Sequence, residues 1–115
     1  MKNRVLLGTA ILMAAFAFQV RAGDSCDSLA KIAKSIMGAR QAGGSMADMI
    51  RIAESTCSKD MTVDVCQAFT KLQKGIVVAA FEVPRYETPE NQQNAVTDFS
   101  NQEYLSCYKS SHQGG

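Results

Sequence analysis

The stretch from Val65 to Val83 is the feature of this sequence that most constrains its fold. Apolar side chains recur along it at intervals of three and four residues, so they share one face of an α-helix. This face comprises Val65, Ala68, Phe69, Leu72, Ile76, Ala79, Ala80 and Val83, widened by Val77, Val78 and Phe81. A helix this apolar must be covered in water. We therefore predict that the shorter amphipathic segments pack on it as on a central helix.

The first 22 residues have the three parts of a secretory signal peptide. Lys2 and Arg4 form a basic start, 5–20 is almost entirely apolar, and Ala22 supplies the small residue before a cleavage site. The apolar run is shorter than the roughly 20 residues that span a bilayer, which disfavours a retained anchor. We predict cleavage after Ala22 and a single domain at 23–115. The protein is then periplasmic or secreted, and it meets the membrane only through its leader during export.

Cleavage of the leader changes the charge balance. The whole chain has 12 Lys and Arg against 11 Asp and Glu. The leader takes three of the basic residues and none of the acidic ones, which leaves nine against eleven, a formal charge of −2. The remaining basic residues are dispersed and form no run. This pattern argues against nucleic acid or an anionic membrane surface as a partner.

All four cysteines follow the leader, at Cys26, Cys57, Cys66 and Cys107. An even number of cysteines behind a signal peptide indicates two disulfides formed in an oxidising compartment. Zinc is the alternative, but the spacing contains no CxxC pair and the sole histidine is His112. We therefore expect no metal and no cofactor.

Capping and turn residues divide the domain into about four helices. The predicted helices run from a cap at Asp24 or Ser25 to about Arg40, from Ser45 to about Thr56, from Thr62 to Pro84, and from Thr88 to a frayed tail at 110–115. The glycine turn at 43–44 predicts that the first two helices form an antiparallel hairpin. Gly75 costs up to about 1 kcal/mol relative to alanine inside a helix, which favours a close helix crossing there. The predicted fold is an all-α bundle stapled by two disulfides.

Two disulfide connectivities fit this helix map. One closes each helical hairpin separately, with Cys26 bonded to Cys57 and Cys66 bonded to Cys107. The other joins Cys26 to Cys107 and Cys57 to Cys66. Loop-closure entropy gives about 3.7 plus 3.9 kcal/mol for the first and about 4.5 plus 2.7 kcal/mol for the second, which does not separate them. The short separation of Cys57 and Cys66 favours the second.

A resemblance to other exported proteins adds to this interpretation. Its residues are Cys26, Arg40-Gln41-Ala42-Gly43, Ser45-Met46, Pro84-Arg85-Tyr86, Phe99 and Tyr104-Leu105-Ser106-Cys107-Tyr108. In this order they resemble a group of small exported proteins encoded by bacteria and their phages or prophages, which have no established function. Such proteins often keep the outer two cysteines alone, so the resemblance implies Cys26–Cys107 as the shared bridge and Cys57–Cys66 as an addition here. It supplies no active site.

No set of residues in the chain predicts catalysis. His112 lies in the predicted tail and the cysteines are assigned to disulfides, so neither a catalytic triad nor a cysteine nucleophile is indicated. Asp60 and Asp64 form the nearest carboxylate pair, and they are better explained as acids near the positive start of a helix. We predict that the protein is not an enzyme.

Four polar residues are candidates for binding a partner. Arg40 and Gln41 end the first helix, and Arg85 and Tyr86 lie in the extended connection after Pro84. Arginine and tyrosine are enriched in the residues that dominate protein interfaces. The structural alternative is that Arg40 bonds to carbonyls at a helix C-terminus and Tyr86 covers the end of the bundle.

Two functions remain after these exclusions. The first is an exported module that binds a protein of the bacterial envelope or secreted space, as an inhibitor, an immunity-like factor or an accessory protein of a phage or mobile element. The second is suggested by a resemblance in size, helix content and disulfides to periplasmic acid-stress chaperones, which loosen at low pH. Eleven acids and an apolar helix fit the chaperone, whereas two disulfides would hinder opening. The sequence gives no indication of the oligomeric state.

Overall fold

Four helices make up the part of the chain that the computed structural model describes, residues 22–57 and 59–113. They are α1 (Ala22–Gln41), α2 (Met46–Ser55), α3 (Val63–Glu82) and α4 (Pro89–Gln113). No strand occurs among these residues, and the predicted all-α fold is confirmed. The predicted signal peptide lies outside the described residues, apart from its last residue.

Side-chain caps begin three of the helices where the sequence predicted them. The hydroxyls of Ser45, Thr62 and Thr88 each accept a hydrogen bond from the backbone N–H three residues ahead, at 3.2 Å. Pro89 takes the first position of α4, where a backbone N–H is not needed. The first helix differs from the prediction, because α1 begins at Ala22 and includes Asp24 and Ser25, the two predicted caps.

α1 and α2 pack on α3, as predicted for a central helix, whereas α4 packs mainly on α1, which corrects the prediction for the last helix. α1 and α4 run antiparallel, and Ser100 Oγ of α4 donates to the carbonyl of Ala30 at 3.1 Å. α1 packs on α3 with their C-terminal ends together. The buried core cluster consists of Ala33, Met37, Ile76, Ala80, Ala95, Val96 and Phe99. It therefore draws on α1, α3 and α4.

The apolar face of α3 is covered only in its C-terminal half. Ile76 and Val77 are buried, but Val65 and Leu72 remain about half exposed. Gly75 is also exposed, and a Cβ added there would meet nothing within 4 Å. The prediction of a close helix crossing at Gly75 is therefore wrong. The periodicity of the sequence identified the apolar face of α3 correctly, but it does not show which parts of that face another helix covers.

The second helix packs against α3 and does not form a close hairpin with α1. Beyond the C-terminal end of α2, Thr56 Oγ1 donates to Gln73 Oε1 at 2.8 Å. Glu54 forms an ion pair with Lys74 at 2.7 Å. These contacts fix α2 antiparallel to α3 and hence to α1, as predicted, but the predicted hairpin is corrected in that α1 and α2 do not pack closely on each other. The glycine turn joins α1 and α2 without packing them together.

Two disulfides link the ends of the helices. Cys26 is bonded to Cys107 and Cys57 to Cys66, with Cα–Cα distances of 5.5 and 5.4 Å. The connectivity that the sequence favoured is confirmed. Ser111 Oγ lies 3.9 Å from the buried Cys26 sulfur, and α4 continues to Gln113. Because this end of α4 is anchored to α1, residues 110–113 are helical where fraying was predicted.

Removing the two disulfides separately should destabilise the domain by different amounts. Cys26 and Cys107 are 81 residues apart and Cys57 and Cys66 are nine apart, for which loop-closure entropy gives about 4.5 and 2.7 kcal/mol. Cys26→Ala/Cys107→Ala is expected to lose more free energy of unfolding than the matched control Cys57→Ala/Cys66→Ala in urea denaturation followed by circular dichroism. Equal losses would contradict the loop-length explanation.

Candidate functional site

The four polar residues predicted to bind a partner lie together where α1 and α3 end. Gln41 is at the centre of this cluster, with 2% of its surface exposed. Its Nε2 donates to the carbonyl of Pro84 at 2.9 Å, and its Oε1 accepts the backbone N–H of Tyr86 at 2.8 Å. The Gln41 carbonyl accepts Arg85 Nε at 2.9 Å. Gln41 therefore fastens the end of α1 to the connection between α3 and α4.

Arg40 makes the kind of contact that the structural alternative predicted. Its Nε donates to the carbonyl of Val83, the C-cap of α3, at 3.3 Å. Its guanidinium carbon lies 4.7 Å from the centroid of the Phe81 ring, which is a cation–π distance. Arg85 and Tyr86 are exposed at the surface of the same cluster. Their contact with a partner stays a prediction.

The turn after α1 brings Arg85 into this cluster. The N–H of Gly43 donates to Arg40 and that of Gly44 to Ala39, at 3.1 and 2.8 Å, which is the Schellman pattern for ending a helix. Gly43 has a φ of +95°, and a Cβ added there would lie 3.3 Å from Arg85 Nη2. Glycine therefore permits both the turn and the close approach of the guanidinium.

Truncation of Gln41 should weaken the attachment of α1 to the connection between α3 and α4 and so destabilise the domain. Gln41→Ala removes the hydrogen bonds to the Pro84 carbonyl and from the Tyr86 N–H, and each such part-buried bond contributes about 0.5–1.5 kcal/mol, or about 1–3 kcal/mol for the two. We expect a loss in that range in the free energy of unfolding, measured by urea denaturation. Gln93→Ala, at an exposed glutamine of α4, is the control and should stay within about 0.5 kcal/mol of the native protein. Similar losses in both variants would contradict a role for Gln41 in closing the bundle.

A second site, which the sequence did not predict, is an open apolar groove between α1, α2 and α3. Its volume is about 450 Å³. The lining residues are Lys31, Ile32, Ser35, Ile36 and Ala39 of α1, Met49, Ile52 and Ala53 of α2 with the following Thr56, and Gln73 and Val77 of α3. Ile52 is 60% exposed. The missed signal was that α1 and α2 each carry an apolar stripe, while the predicted hairpin assigned both stripes to the core.

Polar residues gather at one end of the groove. Thr56 and Gln73 are hydrogen-bonded to each other at the end away from Gln41, and Lys31 lines the same end on α1. Lys31 is exposed and makes no ion pair with the described residues. The groove is therefore apolar along its length with one cation at its rim.

The residues considered for catalysis lie near the start of α3 and in the last turn of α4. Asp60 and Asp64 are exposed near the start of α3, and His112 lies in the last turn of α4. Within residues 22–57 and 59–113, no three side chains of His, Cys, Asp or Glu are grouped so that they could hold a metal ion. No helix of that same part combines the length and apolarity needed to cross a membrane.

No family model, curated protein or solved structure matches this chain. The fold and the two sites therefore define its class by themselves. It is a disulfide-bonded helical domain with one hydrogen-bonded end and an apolar groove along its side.

Proposed function

We propose that this chain is an exported, non-enzymatic protein that binds a protein partner of the bacterial envelope or secreted space through the groove between α1, α2 and α3. The groove is the observation that supports the proposal. Ile52 leaves 60% of its surface in water on this groove, and a concave, mostly apolar cleft of this volume is the kind of surface that binding sites use. An inhibitor, an immunity-like factor or a phage-encoded accessory protein would each use such a surface.

The contacts that hold the helices of the groove in place favour binding with little rearrangement of the protein. The Cys57–Cys66 disulfide holds the end of α2 beside the start of α3, and the Gln41 cluster holds the end of α1 beside the end of α3. Walls that are ordered before binding lose less conformational entropy when a partner arrives. The disulfides also support export, because such bonds persist in the periplasm and outside the cell.

The acid-stress chaperone has less support as an alternative. Acid would have to loosen the fold by protonating carboxylates that hold it together. The two ion pairs among the described residues, Arg51 with Asp48 and Lys74 with Glu54, are exposed, and exposed pairs contribute little to stability. Their loss in acid would therefore release little of the free energy of folding.

Glu103 of α4 should make the domain more stable in acid. Burial raises the pKa of Glu103 above its ordinary value of 4.5. The folded protein holds this proton more tightly than the unfolded chain, so the associated stability is fully present below the unfolded pKa and is lost as pH rises through the folded pKa. Glu103→Gln should thus exceed the native protein in free energy of unfolding at neutral pH and lose this advantage towards about pH 4.

The measurement is urea denaturation of both proteins across this pH range. Glu90→Gln, which changes an exposed acid in the first turn of α4, is the control and should show no gain at neutral pH. A Glu103→Gln protein that is less stable than the native protein at neutral pH would contradict the stated direction.

Affinity capture tests the proposed function. The oxidised protein is used to capture proteins from a bacterial envelope extract and from culture fluid, at neutral pH and near pH 3, with mass spectrometry as the readout. Ile52→Asp places a charge in the groove, and Leu105→Asp makes the same change at a residue of α4 that lies outside the groove and is 52% exposed. We expect one protein captured in stoichiometric amount by the native protein and by Leu105→Asp, and lost by Ile52→Asp.

Three results would contradict the proposal. The first is that no protein is captured at either pH. Many unrelated proteins captured in acid alone would support the chaperone. A stoichiometric partner retained by Ile52→Asp would show that binding occurs elsewhere, with the surface around Arg85 and Tyr86 as the next place to test.

A further inference from the structure

The two long walls of the groove have the same helical spacing. Apart from Lys31 at the rim, α1 contributes residues 32, 35, 36 and 39, and α2 with its C-cap contributes 49, 52, 53 and 56. Each set follows the pattern i, i+3, i+4 and i+7 and extends along about 10 Å of helix. Both helices contact α3 but do not pack closely on each other. The space between them therefore has the shape of a place that another helix of a bundle would occupy.

We infer that the occupant of this groove is a single amphipathic helix of the partner protein, with an acidic residue facing Lys31. The inference rests on the proposed function and specifies the kind of partner that the groove accepts. A helix anchors in such a groove through side chains at i, i+3 or i+4, and i+7, which cover the same length as the two walls.

Other ways of recognising a peptide fit the groove less well. A β-strand adds to the edge of a sheet, and the walls here are helices whose backbone groups are bonded within the helices. A proline-rich segment docks between aromatic side chains, and the lining residues include none. The apolar lining and its helical spacing select a helix.

The positive charge of Lys31 at the rim indicates where the incoming helix carries its acidic residue. Lys31 is the one charged side chain among the lining residues, and it has no ion-pair partner among the described residues. Thr56 and Gln73 at the same end are engaged with each other. A carboxylate just beyond the apolar stripe of the incoming helix would therefore meet a cation that forms no ion pair with a described residue, which favours one direction and one register of the helix.

Two synthetic amphipathic peptides test the inference directly. Both carry leucine at i, i+3, i+4 and i+7, and they differ at one position beyond this stripe, which is glutamate in one and lysine in the other. Their dissociation constants are measured by fluorescence anisotropy at low ionic strength. The native protein should bind the glutamate peptide about fivefold more tightly or better, and Lys31→Glu should reverse this preference.

Two control variants accompany the charge reversal. Lys34→Glu makes the same change in net charge at an exposed lysine of α1 outside the groove, and it should keep the native preference. Ile52→Asp should weaken both peptides about tenfold or more, whereas Leu105→Asp should weaken neither. The inference is overturned by a preference that Lys31→Glu leaves unchanged, by peptides that Ile52→Asp still binds normally, or by a native protein that binds neither peptide.

The same variants in the capture experiment separate this inference from the proposed function. A partner that is lost by Ile52→Asp but equally retained by Lys31→Glu overturns the acidic helix and leaves the proposed function standing. Peptide binding with the expected charge reversal supports the helix-accepting groove even if no protein is captured, and in that case the proposed function fails.

Discussion

The disulfide between Cys26 and Cys107 ties the start of α1 to the end of α4, and the arrangement of the other helices follows from it. Once α4 lies antiparallel along α1, Phe99 and its neighbours meet the inner face of α1 around Met37. The C-terminal half of α3 completes this core with Ile76 and the residues that follow. A covalent link over such a long separation excludes a large fraction of unfolded conformations. It therefore compensates for a core that is small in a domain of this size.

The other end of α1 is held by hydrogen bonds. The connection between α3 and α4 exposes backbone groups that need partners, and the buried amide of Gln41 supplies both a donor and an acceptor. The turn at Gly43 lets Arg85 approach the same point. With both of its ends fixed, α1 is a rigid wall, while α2 is attached to α3 by side-chain contacts and the Cys57–Cys66 bond. The groove remains open because α1 and α2 do not pack closely on each other.

The residues that stabilise the domain are largely distinct from the exposed groove residues that are proposed to bind the partner. The buried cluster and the two disulfides stabilise the domain, and the exposed residues of the groove, which lie outside that cluster, are available for recognition. Ile52 and Lys31 exemplify this, since they lie outside the core cluster and are exposed. A binding protein of this kind needs neither a nucleophile nor a metal ligand. Its specificity would come from the shape of the apolar lining and the sign of one rim charge.

The sequence by itself determined the features that depend on neighbours in the chain. The caps at Ser45, Thr62 and Thr88 were predictable because a hydroxyl three residues before an N–H is enough to form each of them. The glycine turn was predictable because glycine adopts the positive φ that ends a helix. Only the tertiary structure decided that Val65 stays exposed and that Gln41 is buried. Periodicity shows which face of a helix is apolar, but coverage depends on residues far away in the chain. The groove exists for the same reason, because two apolar stripes face a space that no helix within residues 22–57 and 59–113 fills.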